Sequence, residues 1–128
     1  MILDSSALVA IILREPERDG FLAKVDRAKD VAAGAPSLVE TGMVLSSRSR
    51  QDAGPLLAEI LQSMGVSVVE FRDEHWRAAV SAWYRFGKGR HPAALNLGDC
   101  LTYAVAKVAG QPVLAKGDDF AKTDLAVA

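Results

Sequence analysis

Four short apolar runs recur along the chain, at residues 1–3, 31–35, 66–71 and 112–115, and a stretch of helical character follows each of the first three. Runs this short suit buried strands and are too brief for amphipathic helices. Strands that alternate with helices pair in parallel, because the intervening helix carries the chain back across the sheet. The pattern therefore predicts an α/β sandwich built on a parallel sheet, and the tail Leu125-Ala126-Val127-Ala128 is expected to add an edge strand. The length of 128 residues, half of them apolar, suits one domain spanning 1–128. No repeat, low-complexity run or linker interrupts it.

Helix signals punctuate the rest. Ser5 or Ser6 is placed to cap a helix over 7–13, and Pro16 to open one over 17–28. Ser37 and Glu40 have capping-box spacing for a helix reaching about Arg50. Gly54-Pro55 opens a helix over 56–64 that Gly65 closes. Asp73 is expected to cap a helix carrying Trp76, Ala79, Val80 and Trp83 on one face. Asn96 is expected to cap a helix striped by Leu97, Leu101, Ala104 and Val108, with Gly110 at its end.

Fifteen Lys and Arg against sixteen Asp and Glu leave a net charge of −1. That balance excludes a basic nucleic-acid wrapper and a polyacidic tail, though not a local basic patch. A single cysteine, Cys100, excludes an intramolecular disulfide and a thiolate zinc site. Met1-Ile2-Leu3-Asp4 has no basic leader, and the uncharged run 5–13 is far below the ~20 residues of a membrane span. A cytoplasmic protein without membrane attachment is expected.

The acids carry the functional signal. Asp4 follows the first strand and Asp118 a late one, so in a parallel sheet both stand at its carboxyl edge, where open α/β folds build their sites. Glu40 and Asp99 are placed in the first turns of helices, which start at that edge. Two carboxylates ~4 Å apart repel by about 4 kcal/mol at an effective dielectric near 20. A cluster of them therefore protonates, splays or takes up a hard cation, and Mg²⁺ held by carboxylates suits phosphoryl chemistry. Plainer roles exist for each acid: Asp4 as a cap, Glu40 as the partner of Ser37, Asp99 as the partner of Asn96, Asp118 as a turn residue. The two kinds of role are compatible, because a helix N-terminus keeps a carboxylate ionised.

Other features are weaker. His75 is expected to be exposed in a first helical turn, and His91 lies in a glycine loop. Cys100 reads as a small buried side chain. Trp76 and Trp83 read as core or interface rather than a base-stacking platform. From His75 to Gly98 there is no acid, while Arg77, Arg85, Lys88, Arg90 and His91 fall there, four of these five within residues 85–91 on what reads as a flexible loop. Basic side chains beside an acidic centre suit a polyanionic substrate.

The opening Met1-Ile2-Leu3-Asp4-Ser5-Ser6-Ala7-Leu8-Val9-Ala10 resembles that of PIN-domain proteins, especially the VapC toxins of type II toxin–antitoxin pairs. So do Ser37-Leu38-Val39-Glu40-Thr41, the block from Gly87-Lys88-Gly89-Arg90-His91 to Asn96-Leu97-Gly98-Asp99-Cys100, and Leu114-Ala115-Lys116-Gly117-Asp118-Asp119-Phe120. The resemblance implies a three-layer α/β/α sandwich with a parallel sheet of four or five strands. It implies a Mg²⁺- or Mn²⁺-dependent endoribonuclease that cleaves structured RNA such as tRNA or rRNA, a cognate antitoxin and a homodimer. It maps an acidic cluster onto Asp4, Glu40, Asp99 and Asp118, with Asp119 equally eligible for the last place and Ser6 as a supporting hydroxyl. Lys88 and Arg90 are the candidates for holding RNA phosphates. Two other readings remain open on the residues: a receiver-like phosphoacceptor domain using Lys116, and a catalytically silent binding partner whose acids only cap helices.

Overall fold

The computed structural model describes all 128 residues. Its elements run β1 (Ile2–Leu3), α1 (Ser5–Ile12), α2 (Arg18–Arg27), β2 (Val31–Gly34), α3 (Ala35–Ser49), α4 (Gly54–Ser63), β3 (Val66–Val69), α5 (Asp73–Phe86), α6 (Leu97–Ala109) and β4 (Val113–Leu114). A 3-10 turn over Phe120–Lys122 follows β4. The four strands are parallel, in the order β3-β2-β1-β4. The tail joins beside β4 through one bridge, Val113 to Val127, where the Val113 N–H donates to Ala126 and the Ala128 N–H donates back. The expected fifth strand is thus a single pairing.

Side chains of each strand alternate between two cores, which fixes three layers. Leu3, Ala33 and Leu114 join α1, α2, α3 and α4 on one face. Ile2 and Val113 join α5 and α6 on the other, with Tyr103, Ala104, Val105 and Ala106 of α6 buried there. Because the short central strands are covered on both sides, few apolar residues suffice to specify them.

Strand order determines where a site can form. The chain winds from β1 out to β3, then returns past β1 to place β4 on its other side. The chain therefore leaves β1 and β4 toward opposite faces, through α1 and through the 3-10 turn, and a crevice opens at their carboxyl ends. Asp4 follows β1 directly, and Asp118 and Asp119 stand just beyond β4.

Several local expectations are corrected. Asp4 itself caps α1, taking the N–H of Ser6, so neither serine is the cap. α3 starts at Ala35, two residues before Ser37, with Pro36 in its first turn; Pro there forgoes no helical hydrogen bond. The Ser37–Glu40 capping box does not form, and Glu40 lies in the second turn. α5 is capped at Arg72 rather than Asp73. There the backbone N–H of Arg72 donates to His75 Nδ1 at 2.9 Å, and His75 is buried against Phe71, not exposed. Asn96 and Asp99 do form the reciprocal capping box at the start of α6.

Candidate active site

Asp4 is 5% exposed, and both of its oxygens are engaged. Oδ2 accepts from the N–H of Ser6 at 2.9 Å and from its hydroxyl at 2.6 Å. Oδ1 accepts from the hydroxyl of Thr102 on α6 at 2.6 Å. Ser6 Oγ also accepts from the Lys116 N–H at 3.0 Å, which ties the end of β4 to the start of α1. Ser6 therefore holds both the carboxylate and the loop that carries the next acids.

Asp99 sits one turn before Thr102 on the same helix. Its Oδ2 accepts from the Asn96 N–H at 3.0 Å, while Asn96 Oδ1 accepts from the Asp99 N–H at 2.9 Å. Its carboxyl is pushed up to about 6, first by burial and then by the charges of Asp4, Asp119 and Glu40, with the Asn96 hydrogen bond opposing them. No cation offsets those charges at Asp99.

Glu40 reaches the same place from α3. Its Oε1 accepts a short hydrogen bond from Ser5 Oγ. Its other oxygen lies over Gly98: a β-carbon at position 98 would stand 2.3 Å from Glu40 Oε2. Glycine leaves the carboxylate room here, since any side chain would displace it.

The two candidates for the fourth acid differ in placement. Asp118 is the more exposed of the two, and Lys122 reaches both, at 3.2 Å from Asp118 and 4.0 Å from Asp119. Asp119 is the acid of this pair whose charge bears on Asp99. Although the charges of Asp4, Glu40 and Asp119 all act on Asp99, no three acidic, histidine or cysteine side chains stand at metal-ligand spacing. The carboxylates converge yet stay apart, as like charges do without a counter-ion. The donor set is all oxygen, which suits a hard divalent cation rather than zinc or copper. With the space that Gly98 leaves for Glu40, the residues fit such an ion.

The basic stretch divides into paired and free cations. Arg77 pairs with Asp73 at 3.0 Å and Arg85 with Asp124 at 3.4 Å. Lys116 is held by Glu15 at 2.8 Å and Glu17 at 3.3 Å. Lys88 and Arg90 have no carboxylate partner. Their loop is anchored, in contrast to the expected flexibility: Leu95 donates to Phe86 at 2.9 Å and Lys88 to Leu95 at 3.0 Å. Arg90 stacks over Trp83 at 4.4 Å. Trp76 and Trp83 are nearly half exposed, so they belong to a surface and not to the core. Cys100 is buried and its thiol is pushed up to about 11, first by burial and then by Asp99, which leaves it no role as a nucleophile.

Thr102 and Ser5 had no place among the expected site residues. The available signal for Thr102 was a lone hydroxyl among apolar neighbours, three residues beyond Asp99. A receiver-like site lacks its central acid: β3 is an edge strand, and Asp73, the nearest Asp after it, is bound to Arg77 and Trp76.

Comparison with known proteins gives concordant results. The PIN domain family model matches residues 1–125. Ribonuclease VapC36 of Mycobacterium tuberculosis is 42% identical over 126 residues, 98% of this chain and 91% of that protein. Ribonuclease VapC of Mycolicibacterium smegmatis is 41% identical, covering 98% of each. Among solved structures, M. tuberculosis VapC20, described as a sarcin-ricin loop cleaving toxin, superposes with a TM-score of 0.79 at 18% identity, over 99% of this chain and 97% of that one. A toxin–antitoxin complex from Klebsiella pneumoniae gives 0.73 at 16%, over 99% and 95%. At those identities the solved structures speak to the fold alone.

Proposed function

The chain belongs to the PIN-domain family and is a VapC-type toxin endoribonuclease, and we propose that it hydrolyses RNA phosphodiesters with Mg²⁺ or Mn²⁺ held among Asp4, Asp99, Glu40 and Asp119. Asp119 takes the place first given to Asp118, because its charge is the one of the pair that acts on Asp99, while Asp118 is the more exposed. The observation that carries the reading is the meeting of carboxylates from β1, α3 and α6 where the strand order reverses. Thr102 joins Asp4 to α6, and Gly98 admits Glu40 beside Asp99.

A bound divalent ion supplies charge neutralisation at the phosphate and a water acidic enough to attack phosphorus. The chain's own residues do the rest. Asp4 and Asp99 are the primary ligands, each oriented by hydrogen bonds from Ser6, Thr102 or Asn96. Glu40, fixed by Ser5, directs its free oxygen toward the site and accepts a proton from the attacking water. Lys88 and Arg90, free of carboxylates, hold flanking phosphates and set the strand's register. Lys116 is committed to Glu15 and Glu17 and orients the acidic rim instead of the substrate.

Protein partners are assigned to the apolar surface beside the site. Val39, Met43 and Leu97 are each more than 60% exposed, along a groove between α3 and α6 of about 870 Å³. Exposed patches of this kind mark contact surfaces. They suit a cognate antitoxin and a second copy of the chain. No helix is long and apolar enough to cross a membrane. A cytoplasmic location and a tRNA or rRNA substrate complete the proposal.

The test uses Asp99→Asn. Wild type is expected to bind Mn²⁺ by calorimetry and to cleave RNA, and the variant to lose both while keeping its circular dichroism spectrum. Cleavage by the variant at the wild-type rate would refute the assignment.

A further inference from the structure

Thr102 is 1% exposed on the face of α6 that packs beneath β1. A hydroxyl there costs roughly 1–3 kcal/mol unless it is hydrogen-bonded, and valine has nearly the same shape. A buried helical threonine can return its proton to the carbonyl one turn back, as Thr41 does to Ser37 at 2.7 Å. Thr102 instead donates across to Asp4 Oδ1 at 2.6 Å, the length of a charge-assisted bond. Its hydroxyl lies 3.0 Å from Ser37 Oγ. A hydroxyl has one proton and an ionised carboxylate only accepts, so the direction is fixed: Ser37 donates to Thr102, and Thr102 donates to Asp4.

The arrangement constrains a soft torsion. A terminal carboxylate rotates in a broad, roughly two-fold well, so Asp4 has little intrinsic preference for one plane. Ser6 grips only Oδ2. The hydroxyl of Thr102 grips Oδ1 and defines the plane. Thr102 also lies three residues after Asp99, a helical rise of about 4.5 Å. One rigid helix thus carries one ligand and aims the other. The distance between two acids far apart in sequence is set by helix geometry rather than by a loop.

We propose that Thr102, ordered by Ser37, is a positioning residue that orients the Asp4 carboxylate for the divalent ion. The inference rests on the nuclease reading above and adds to it a residue that never touches the ion. Its test compares Thr102→Val, Thr102→Ser and Ser37→Ala in full-length protein. Mn²⁺ affinity is measured by calorimetry, and the Asp4 carboxylate plane is read in metal-free crystals. Losing a hydrogen-bond partner of a ligand typically weakens binding by roughly 10–100-fold. Thr102→Val is expected to show that loss and a rotated carboxylate. Thr102→Ser is expected to restore affinity to within a few-fold, and Ser37→Ala to fall between them. A purely structural role would lower the melting temperature of Thr102→Val without moving Mn²⁺ affinity or the carboxylate, and that result overturns the proposal. Equal losses for Thr102→Ser and Thr102→Val overturn it too. Should Thr102→Val not fold, Ser37→Ala with wild-type affinity and carboxylate plane is the overturning result. A wild type that binds no Mn²⁺ sinks the nuclease reading itself, and this inference with it.

Discussion

Two aspartates, one in the first turn of α6 and one bound to side chains farther along it, face opposite circumstances. Asp124, in the tail, accepts from Tyr103 at 2.6 Å, Lys107 at 2.8 Å and Arg85 at 3.4 Å. Burial pushes its carboxyl up, but the hydrogen bonds of Lys107 and Tyr103 and the charges of Lys107 and Arg85 outweigh it and hold it at about 2. Asp99 is pushed to about 6 by burial and by neighbouring acids, with no cation opposing them. One cluster is complete and secures the tail to α5 and α6. The other is incomplete, and its missing element is positive charge. Perturbed groups gather where a protein does chemistry, and here the direction of the shift separates the scaffold from the site.

Asp99→Asn breaks the contrast most severely. RNA cleavage is expected to fall to background, while the metal-free protein becomes more thermostable above about pH 6, since the amide oxygen still accepts from Asn96 and the repulsion is gone. Melting curves in chelator and a cleavage assay check both halves.

Acid titration sharpens the contrast further. The folded Asp99 carboxyl binds its proton more tightly than an unfolded one, whose ordinary value is 3.8. Its effect on metal-free stability is therefore least unfavourable below about pH 4 and becomes a loss as pH rises through about 6. Asp124 has the reverse sign: its contribution is present above 3.8 and disappears as pH falls through about 2. Melting temperature against pH in chelator is expected to decline between about pH 4 and 7, and saturating Mn²⁺ to reverse that decline.

Gly98→Ala probes space rather than charge. The new methyl must move Glu40, so cleavage is expected to drop by roughly 10-fold or more, the scale of losing one oriented group. The melting temperature is expected to change little, because the better helix former offsets part of the clash. Asp124→Asn has a smaller reach: about 1–2 kcal/mol of stability lost, with Mn²⁺ affinity and cleavage intact. Smallest of all, Lys88→Ala and Arg90→Ala are each expected to raise KM with kcat nearly constant, and to reduce the salt dependence of RNA binding by about one counter-ion.

Legibility in the sequence followed the range of the interactions. The Asn96–Asp99 capping box could be read because both partners lie within one turn. The same spacing at Ser37–Glu40 misled, because Pro36 starts α3 earlier and because Ser37 finds a partner in Thr102, 65 residues away. Strand order could not be read from apolar runs of three to six residues, yet it places Asp4 beside the acids beyond β4. The burial of His75 depended on Phe71 and on a backbone cap that its residue type does not announce. Asp119 is distinguished from Asp118 by its lower exposure and by the effect of its charge on Asp99, neither of which the dipeptide announces. Trp76 and Trp83 follow helical spacing, but α5 turns them outward, which periodicity alone does not decide.

The most direct measurement is a crystal of wild-type protein soaked in Mn²⁺ and read for anomalous scattering. The account expects a peak between the carboxylates of Asp4 and Asp99, bordered by Glu40 and Asp119, and none at Asp124. A crystal with full Mn²⁺ access and no peak among those four acids would contradict it.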